Sequence, residues 1–389
     1  MKVLHSCLSK SWGGMEMYSL NTARTLIDAG IDVELLCSPN SRLHIEALKH
    51  RIKVHAFNFG KYFTPASLYR LNKLIRENKF DLIHAESSKD LWLIVPALRL
   101  TSCRTPLIMT KHVGSFINKK DFFHRWIYKR VNVALAISRV IKSNLLQTTP
   151  LDEARVLLLY DSIDTENFNP ANVNGKKIRN EFGIRDDELL IGMSGRFSPG
   201  KGHEEFLSAA KYLNRKFSNL RFMIVGEPSM GEDSYTADIK ILAAEHGLID
   251  KIIFTGYRAD VPQVLAAMDI FAFPSHAEAF GMALAEAMSM GKPSVCSNSD
   301  GVLEIAVDGV TSYLFENKNA KDLANKIELL INSPAKRKEF GEAARKRVID
   351  LFNINKFTKE LLSIYDSLVK EKSSKQEHAS NLHLKAEQI

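Results

Sequence analysis

An α/β fold made of two doubly wound domains is what this 389-residue sequence predicts, and three observations carry the prediction. Short apolar runs of strand length alternate with helical segments through the first 165 residues. The alternation stops at residues 165–177 (TENFNPANVNGKK), whose asparagines, Pro170 and Gly175 mark a linker. It then restarts and continues into the last third of the chain. Short apolar strands between helices argue for mostly parallel sheets covered on both faces. Two halves of comparable size suggest domains that face each other, with ligands at the carboxyl ends of the strands and in the cleft between domains. The halves share no period or motif, so they are not a tandem repeat.

In the first half, strands are expected at residues 2–7, 32–38, 53–58, 81–85, 106–110, 133–137 and 155–160, each a short apolar run. Helices are expected between them at 15–29, 65–78, 89–100, 121–130 and 139–147, the first stopped by Gly30. In the second half, strands are expected at 189–193, 221–225, 251–255, 269–273, 294–296 and 312–315. The helices there are 203–217, 233–246, 261–268, 282–290 and a helical stretch from 320 to about 370. The domain boundaries follow: residues 1–165, then 166–354, with a helix near 355–370 packing back on the first domain. Residues 371–389 are polar and weakly patterned and are expected as a flexible tail.

Composition narrows the class. The length supplies ample material for buried cores. Cys7, Cys37, Cys103 and Cys296 lie far apart with no CxxC or metal-ligand spacing, which suits reduced thiols in a cytoplasmic protein. Met1-Lys2-Val3-Leu4-His5 runs straight into a strand and does not resemble a signal peptide. The longest apolar run, residues 91–98, is broken by Pro96 and reads as core, not as a membrane span. Up to Thr165 there are 24 Lys and Arg against 14 Asp and Glu, and after it 29 against 31. The basic first half suits nucleic acid, an anionic membrane surface or an acidic substrate, and charge alone does not choose among them.

Residues 271–294 (FAFPSHAEAFGMALAEAMSMGKPS) hold the densest chemistry. An apolar strand ends at Pro274, a polar loop carries Glu278, and Gly281 opens a helix that Gly291 closes before Pro293. The first N–H groups of a helix have no internal partner and stand at the positive end of its dipole, so they accept an anion. Gly281 lets a phosphate come close to the main chain. Glu278 lies at the mouth and Glu286 a turn deeper, with seven residues between them. Two carboxylates for hydroxyls around a phosphate site suit a nucleotide sugar.

A second run, Gly192 to Gly202 (GMSGRFSPGKG), is a strand, a Gly-rich turn and a helix start. It fits most of a P-loop, but Gly202 stands where Ser or Thr would hold magnesium, and the next strand ends Val225-Gly226-Glu227. What remains is two cations, Arg196 and Lys201, just past the end of a strand. They suit a diphosphate whose negative charge grows as it leaves. Gly13 and Gly14, in Ser11-Trp12-Gly13-Gly14-Met15-Glu16, allow close backbone approach at a strand-to-helix turn. His112 sits at the end of a strand in the basic half. Residues 116–130 interleave Lys119, Lys120, Arg125, Lys129 and Arg130 with Phe116, Phe122, Phe123, Trp126 and Tyr128, a pattern that suits an anionic membrane interface or nucleic acid. No Asp-x-Asp, HExxH or GxSxG motif is present.

Glu278-Ala279-Phe280-Gly281, followed by Glu286-Ala287-Met288 and Gly291-Lys292-Pro293, resembles the E-x7-E signature of the retaining glycosyltransferases of family 4, which have the GT-B fold of two Rossmann-like domains. Gly195-Arg196 with Lys201-Gly202 is similar to that family's G-R-x-x-x-x-K-G motif. The resemblance spans nearly the whole chain, from the Gly13-Gly14 loop to beyond Gly309. It implies a first domain that binds the acceptor and a second that binds a nucleotide-diphosphate sugar. It also implies that Arg196 and Lys201 grip the diphosphate and that Gly13 and Gly14 reach toward it. Glu286 would hold the ribose, and Glu278 with the backbone of Phe280, Gly281, Met282 and Ala283 the sugar. The loop with Tyr257 or Arg258 would lie against the base, and His112 would contact the reacting sugar. The expected reaction is transfer with retention to a glycan or glycolipid acceptor, in bacterial cell-surface polysaccharide or lipopolysaccharide synthesis. Docking of the basic first domain on an anionic membrane is expected through residues 116–130, with no nucleic acid and no essential metal or other cofactor. The catalytic set is then His112, Glu278, Arg196 and Lys201. Ala279 and Met282 depart from the family's usual Pro and β-branched residue and leave the sugar open. A nucleotide-sugar epimerase, a sugar phosphorylase and a non-catalytic nucleotide-sugar-binding protein are the alternatives.

Overall fold

A computed structural model describes residues 1–57, 64–100, 103–228 and 232–386, with the backbone alone over 375–386. The chain divides into two compact units, Met1–Asp161 with Phe357–Ile389, and Ser162–Lys356.

The first unit is a seven-stranded, wholly parallel sheet: β1 (Lys2–Cys7), β2 (Asp32–Cys37), β3 (Lys53–Ala56), β4 (Leu82–Ala85), β5 (Leu107–Lys111), β6 (Val133–Ala136) and β7 (Val156–Leu158). The spatial order is β3-β2-β1-β4-β5-β6-β7, so the winding reverses between β1 and β4. Their apolar side chains meet the helices on both faces, as near-continuous hydrophobic strands require. Val3, Leu35, Leu82, Ile108 and Leu135 form the centre of one core layer. The C-terminal helix Ile354–Ala386 joins it through Phe357, Leu361, Tyr365 and Leu368, spaced to fall on one helical face. The stretch expected as a tail continues this helix to Ala386. Of the strand expected at 53–58, Asn58 lies outside the described residues, as do the last three residues of the chain.

The second unit is a six-stranded parallel sheet in the order β10-β9-β8-β11-β12-β13. Its strands are β8 (Leu189–Ser194), β9 (Leu220–Val225), β10 (Ile252–Phe254), β11 (Ile270–Phe273), β12 (Ser294–Ser297) and β13 (Ser312–Phe315). The winding reverses between β8 and β11, which brings the carboxyl ends of those two strands together. The segment expected as a linker is pinned to this unit. Ile163 bonds across to Phe352 and Ile354, and the Phe168 carbonyl accepts from Ser289 and Arg345. The helical stretch expected from 320 onward is three helices, because Ser333 caps a new start with Pro334 in its first turn and Asn353 is extended. A capped helix at Arg42–Lys49 was not expected. Among the described residues, no helix is long and apolar enough to cross a membrane.

Candidate functional site

At the reversal point of the second unit, the turn after β8 meets the loop after β11. Gly202 has φ +78, and a Cβ there would come 2.2 Å from the Pro274 carbonyl oxygen, so only glycine allows the two segments to touch. The His276 N–H donates to the Gly200 carbonyl at 2.8 Å, and its Nε2 lies 2.9 Å from Glu205 Oε1. Lys201 Nζ donates to Glu278 Oε1 at 2.6 Å. Two motifs 77 residues apart in sequence therefore share one ion pair. Arg196 is exposed, two residues past the end of β8 on the same turn.

Gly281, at φ +113, precedes the helix Met282–Ser289. The Leu284 and Ala285 N–H groups donate to the Gly281 carbonyl, while those of Met282 and Ala283 have no partner among the described residues. The Phe280 side chain is core, edge-on to Phe352 at 5.2 Å between centroids, so only its main chain could serve a ligand. Glu286 is half-buried, accepts no hydrogen bond from a described residue, and is pushed up to about 7 by burial. A carboxyl at this depth with no donor among the described residues keeps its capacity to accept hydrogen bonds. Tyr257 is exposed, whereas Arg258 commits its guanidinium to Glu181 and Asp260 at 2.6–3.1 Å.

In the first unit, Gly13 is extended and caps the helix Gly14–Asp28, and a Cβ at Gly14 would meet no atom within 4 Å. Neither glycine is demanded by the packing, which leaves room above them. His112 is buried and places Nε2 2.7 Å from Glu86 Oε2, with Tyr18 edge-on to its ring. Glu86 Oε1 lies 2.9 Å from His5 Nε2 and 3.7 Å from His84 Nε2. Burial by itself would raise the Glu86 carboxyl, but His84, His5 and His112 hold it well below the usual range. Burial opposes a charge on His112, yet Glu86 prevails and raises its pKa. Asp90 and Asp161, buried nearby, are each pushed up to about 7 by burial.

His5, His84 and Glu86 are spaced closely enough to share an ion. Both ring nitrogens of His84, however, are engaged by the Tyr365 and Thr110 hydroxyls at 2.5 and 2.6 Å. Glu86 Oε1 and both ring nitrogens of His5 have no hydrogen-bond partner among the described residues, so the trio is held together by charge and burial, with only Glu86 Oε2 bonded, to His112. Sequence reading singled out His112 and missed Glu86, His5, Asp90 and Asp161. The available signal was polar residues inside otherwise apolar strand runs, VLHSC and LIHAE, where burial needs a partner. The set assembles only because the register places His5 opposite His84.

Residues 12–167 match the family described as Glycosyltransferase Family 4, and residues 174–347 the one described as Glycosyl transferases group 1. The UDP-Gal:alpha-D-GlcNAc-diphosphoundecaprenol alpha-1,3-galactosyltransferase of Escherichia coli is 25% identical over 387 residues, covering 95% of this chain and 97% of that protein. A D-inositol 3-phosphate glycosyltransferase of Stackebrandtia nassauensis is 27% identical over 366 residues, covering 85% and 82%. Among solved structures, a glycosyltransferase from Rickettsia africae superposes with a TM-score of 0.86 at 23% identity, over 95% of this chain and 98% of that one. Anabaena Alr3699/HepE in complex with UDP and glucose superposes with a TM-score of 0.82 at 22% identity, over 94% and 100%.

Proposed function

The chain belongs to the family 4 type of GT-B glycosyltransferases, and from that premise we propose that it moves a sugar from a nucleotide-diphosphate sugar to a hydroxyl of a glycan or glycolipid, with retention at the anomeric carbon. The single observation that carries the reading is the Lys201–Glu278 pair, in the loop that leads into the helix whose Met282 and Ala283 amides have no partner among the described residues. A donor diphosphate entering there draws Lys201 from its carboxylate, and Glu278 is released to accept from the sugar hydroxyls. Arg196, Lys201 and the helix amides stabilise the charge that grows on the departing diphosphate. These fixed positive groups can do the work a divalent ion does in other sites, so no essential metal is proposed. Glu286 holds the ribose, and Tyr257 rather than Arg258 lies against the base. The diphosphate takes the proton of the attacking hydroxyl, and His112 contacts the reacting sugar from the acceptor side. No protein nucleophile is assigned.

The relatives named above act on a diphosphoundecaprenol-linked sugar and on an inositol phosphate. Both names support an acceptor that carries phosphate, and the first supports work at a bacterial membrane in surface-polysaccharide synthesis. The exposed Phe116, Ile117, Phe122 and Phe123, interleaved with lysines and Arg125, support peripheral docking on an anionic leaflet. The test is nucleoside diphosphate release from UDP-, GDP- and ADP-sugars with and without an extract of lipid-linked acceptors. Acceptor-dependent release, reduced by about 10²–10³ in Lys201→Ala, is expected. Equal release without acceptor, or none with a tightly bound donor, would favour the other activities of this fold.

A further inference from the structure

β4 and β5 pair in parallel with Ala85 opposite Met109, so the segments that leave them, Glu86 to Lys89 and Lys111 to His112, emerge side by side. Lys111 closes β5 and is half-buried. Lys119 is brought over it by a main-chain bond from its N–H to the Thr148 carbonyl at 2.7 Å. Its Nζ reaches 3.5 Å from Ser88 Oγ. Lys111 and Lys119 face each other, and Lys89 adds a third charge from the loop after β4. Among the described residues, none of the three has a carboxylate within ion-pair distance. The buried Tyr128 hydroxyl, turned toward Ser88, makes no hydrogen bond of good geometry.

Bringing like charges together while removing water from one of them is unfavourable unless an anion compensates. The cost is visible at Lys111, brought down to about 8 by burial and by Lys119 and Lys89. Solvated surface lysines show no such convergence. Three ammonium groups and two hydroxyls offer many donors and no fixed negative charge. That set suits a phosphate, whose oxygens take several charge-assisted bonds at once.

We propose that Lys89, Lys111 and Lys119, with Ser88 and Tyr128, form a subsite for a phosphate or diphosphate group of the acceptor. The proposal rests on the reading of the first unit as the acceptor side, since Lys111 immediately precedes His112. The group can come from a lipid headgroup, whose chain would find Phe116, Ile117, Phe122 and Phe123 exposed a few residues along, or from a water-soluble phosphate.

The test is competitive lysine acylation of the full-length protein, read site by site by peptide mass spectrometry. The probes are inorganic pyrophosphate, and neutral phosphatidylcholine vesicles carrying either an alkyl phosphate or an alkyl carboxylate. A phosphate paired with Lys111 raises its pKa by about one unit or more, so acylation of Lys111 should fall roughly tenfold. Lys119 should be protected alongside it, while the exposed Lys321 of the other unit should not change. Protection by the alkyl phosphate vesicles assigns a lipid headgroup; protection by pyrophosphate alone assigns a soluble phosphate. Unchanged acylation with both phosphate probes, or equal protection by the carboxylate vesicles, overturns the subsite. This readout needs no sugar transfer. A protein stabilised by a nucleotide sugar yet unprotected at Lys111 loses the subsite and keeps the donor reading; the reverse pattern does the opposite.

Discussion

Two carboxylates that look alike in sequence are set to opposite tasks by their surroundings. Glu286 has burial and no hydrogen-bond donor among the described residues, so its folded pKa lies above its unfolded value. Such a group favours folding at low pH and loses that contribution as pH rises through about 7. Glu286→Gln should therefore gain thermal stability relative to the parent as pH rises from about 5 to about 8, with little difference at the low end. A constant offset across that range would mean that Glu286 is ion-paired in solution. Glu86 is the reverse case, a buried anion held by His5 and His112. Glu86→Gln leaves those imidazoles without a counter-charge and should cost about 3 kcal/mol in urea unfolding. A loss below about 0.5 kcal/mol would show that the histidines relax without it. Glu286 was legible in the sequence because it follows Glu278, in the loop before the helix, with only seven residues between them. Glu86 was not, because its partners come from β1 and from beyond β5.

At the scale of elements, the turn after β8 and the loop after β11 act as one piece. Gly202→Ala places a Cβ 2.2 Å from the Pro274 carbonyl at a φ that alanine avoids. The segments must part, so nucleotide-sugar binding should weaken at least about tenfold while the fold loses about 1–3 kcal/mol. Calorimetric binding that is unchanged would separate the turn from the donor site. The short helix Phe122–Tyr128, capped by Asp121, exposes Phe122 and Phe123. Replacing both with Ser should reduce sedimentation with anionic vesicles by about tenfold or more, because each removes apolar area that a bilayer would bury. Transfer to a water-soluble acceptor should be untouched; equal vesicle binding by parent and variant would contradict the membrane assignment. Strands were legible as apolar runs of three to six residues between helices. The helix Arg42–Lys49 was not expected, although Ser41 caps its start and Leu43 and Ala47 share a buried face. The breaks at Ser333 and Asn353 escaped because the helical pattern resumes at once on either side.

Across the whole molecule, net positive charge collects in the first half, while the two motifs proposed to hold the donor diphosphate lie in the second. Parallel sheets with reversed winding explain the second point, since β8 and β11 are neighbours despite the strands between them in sequence. Lys201 and Glu278 thereby meet past the carboxyl ends of the two central strands, with Arg196 on the same turn and the helix after Gly281 following the same loop, and it was the motif resemblance that led to this expectation. The lysine and histidine clusters of the first unit depend on register across three strands, which no local pattern encodes. The central claim is that the second unit holds a donor diphosphate through Lys201 and the amides of Met282 and Ala283. Its most direct test is thermal unfolding of the parent and of Lys201→Ala with UDP-, GDP- and ADP-sugars, with a CMP-sugar as the monophosphate control. At about 100 times Kd a bound donor adds roughly 2.7 kcal/mol to the native state, so one of the diphosphate sugars should raise the parent's midpoint by several degrees and the variant's hardly at all. No rise with any of them, or an equal rise in Lys201→Ala, would contradict the account.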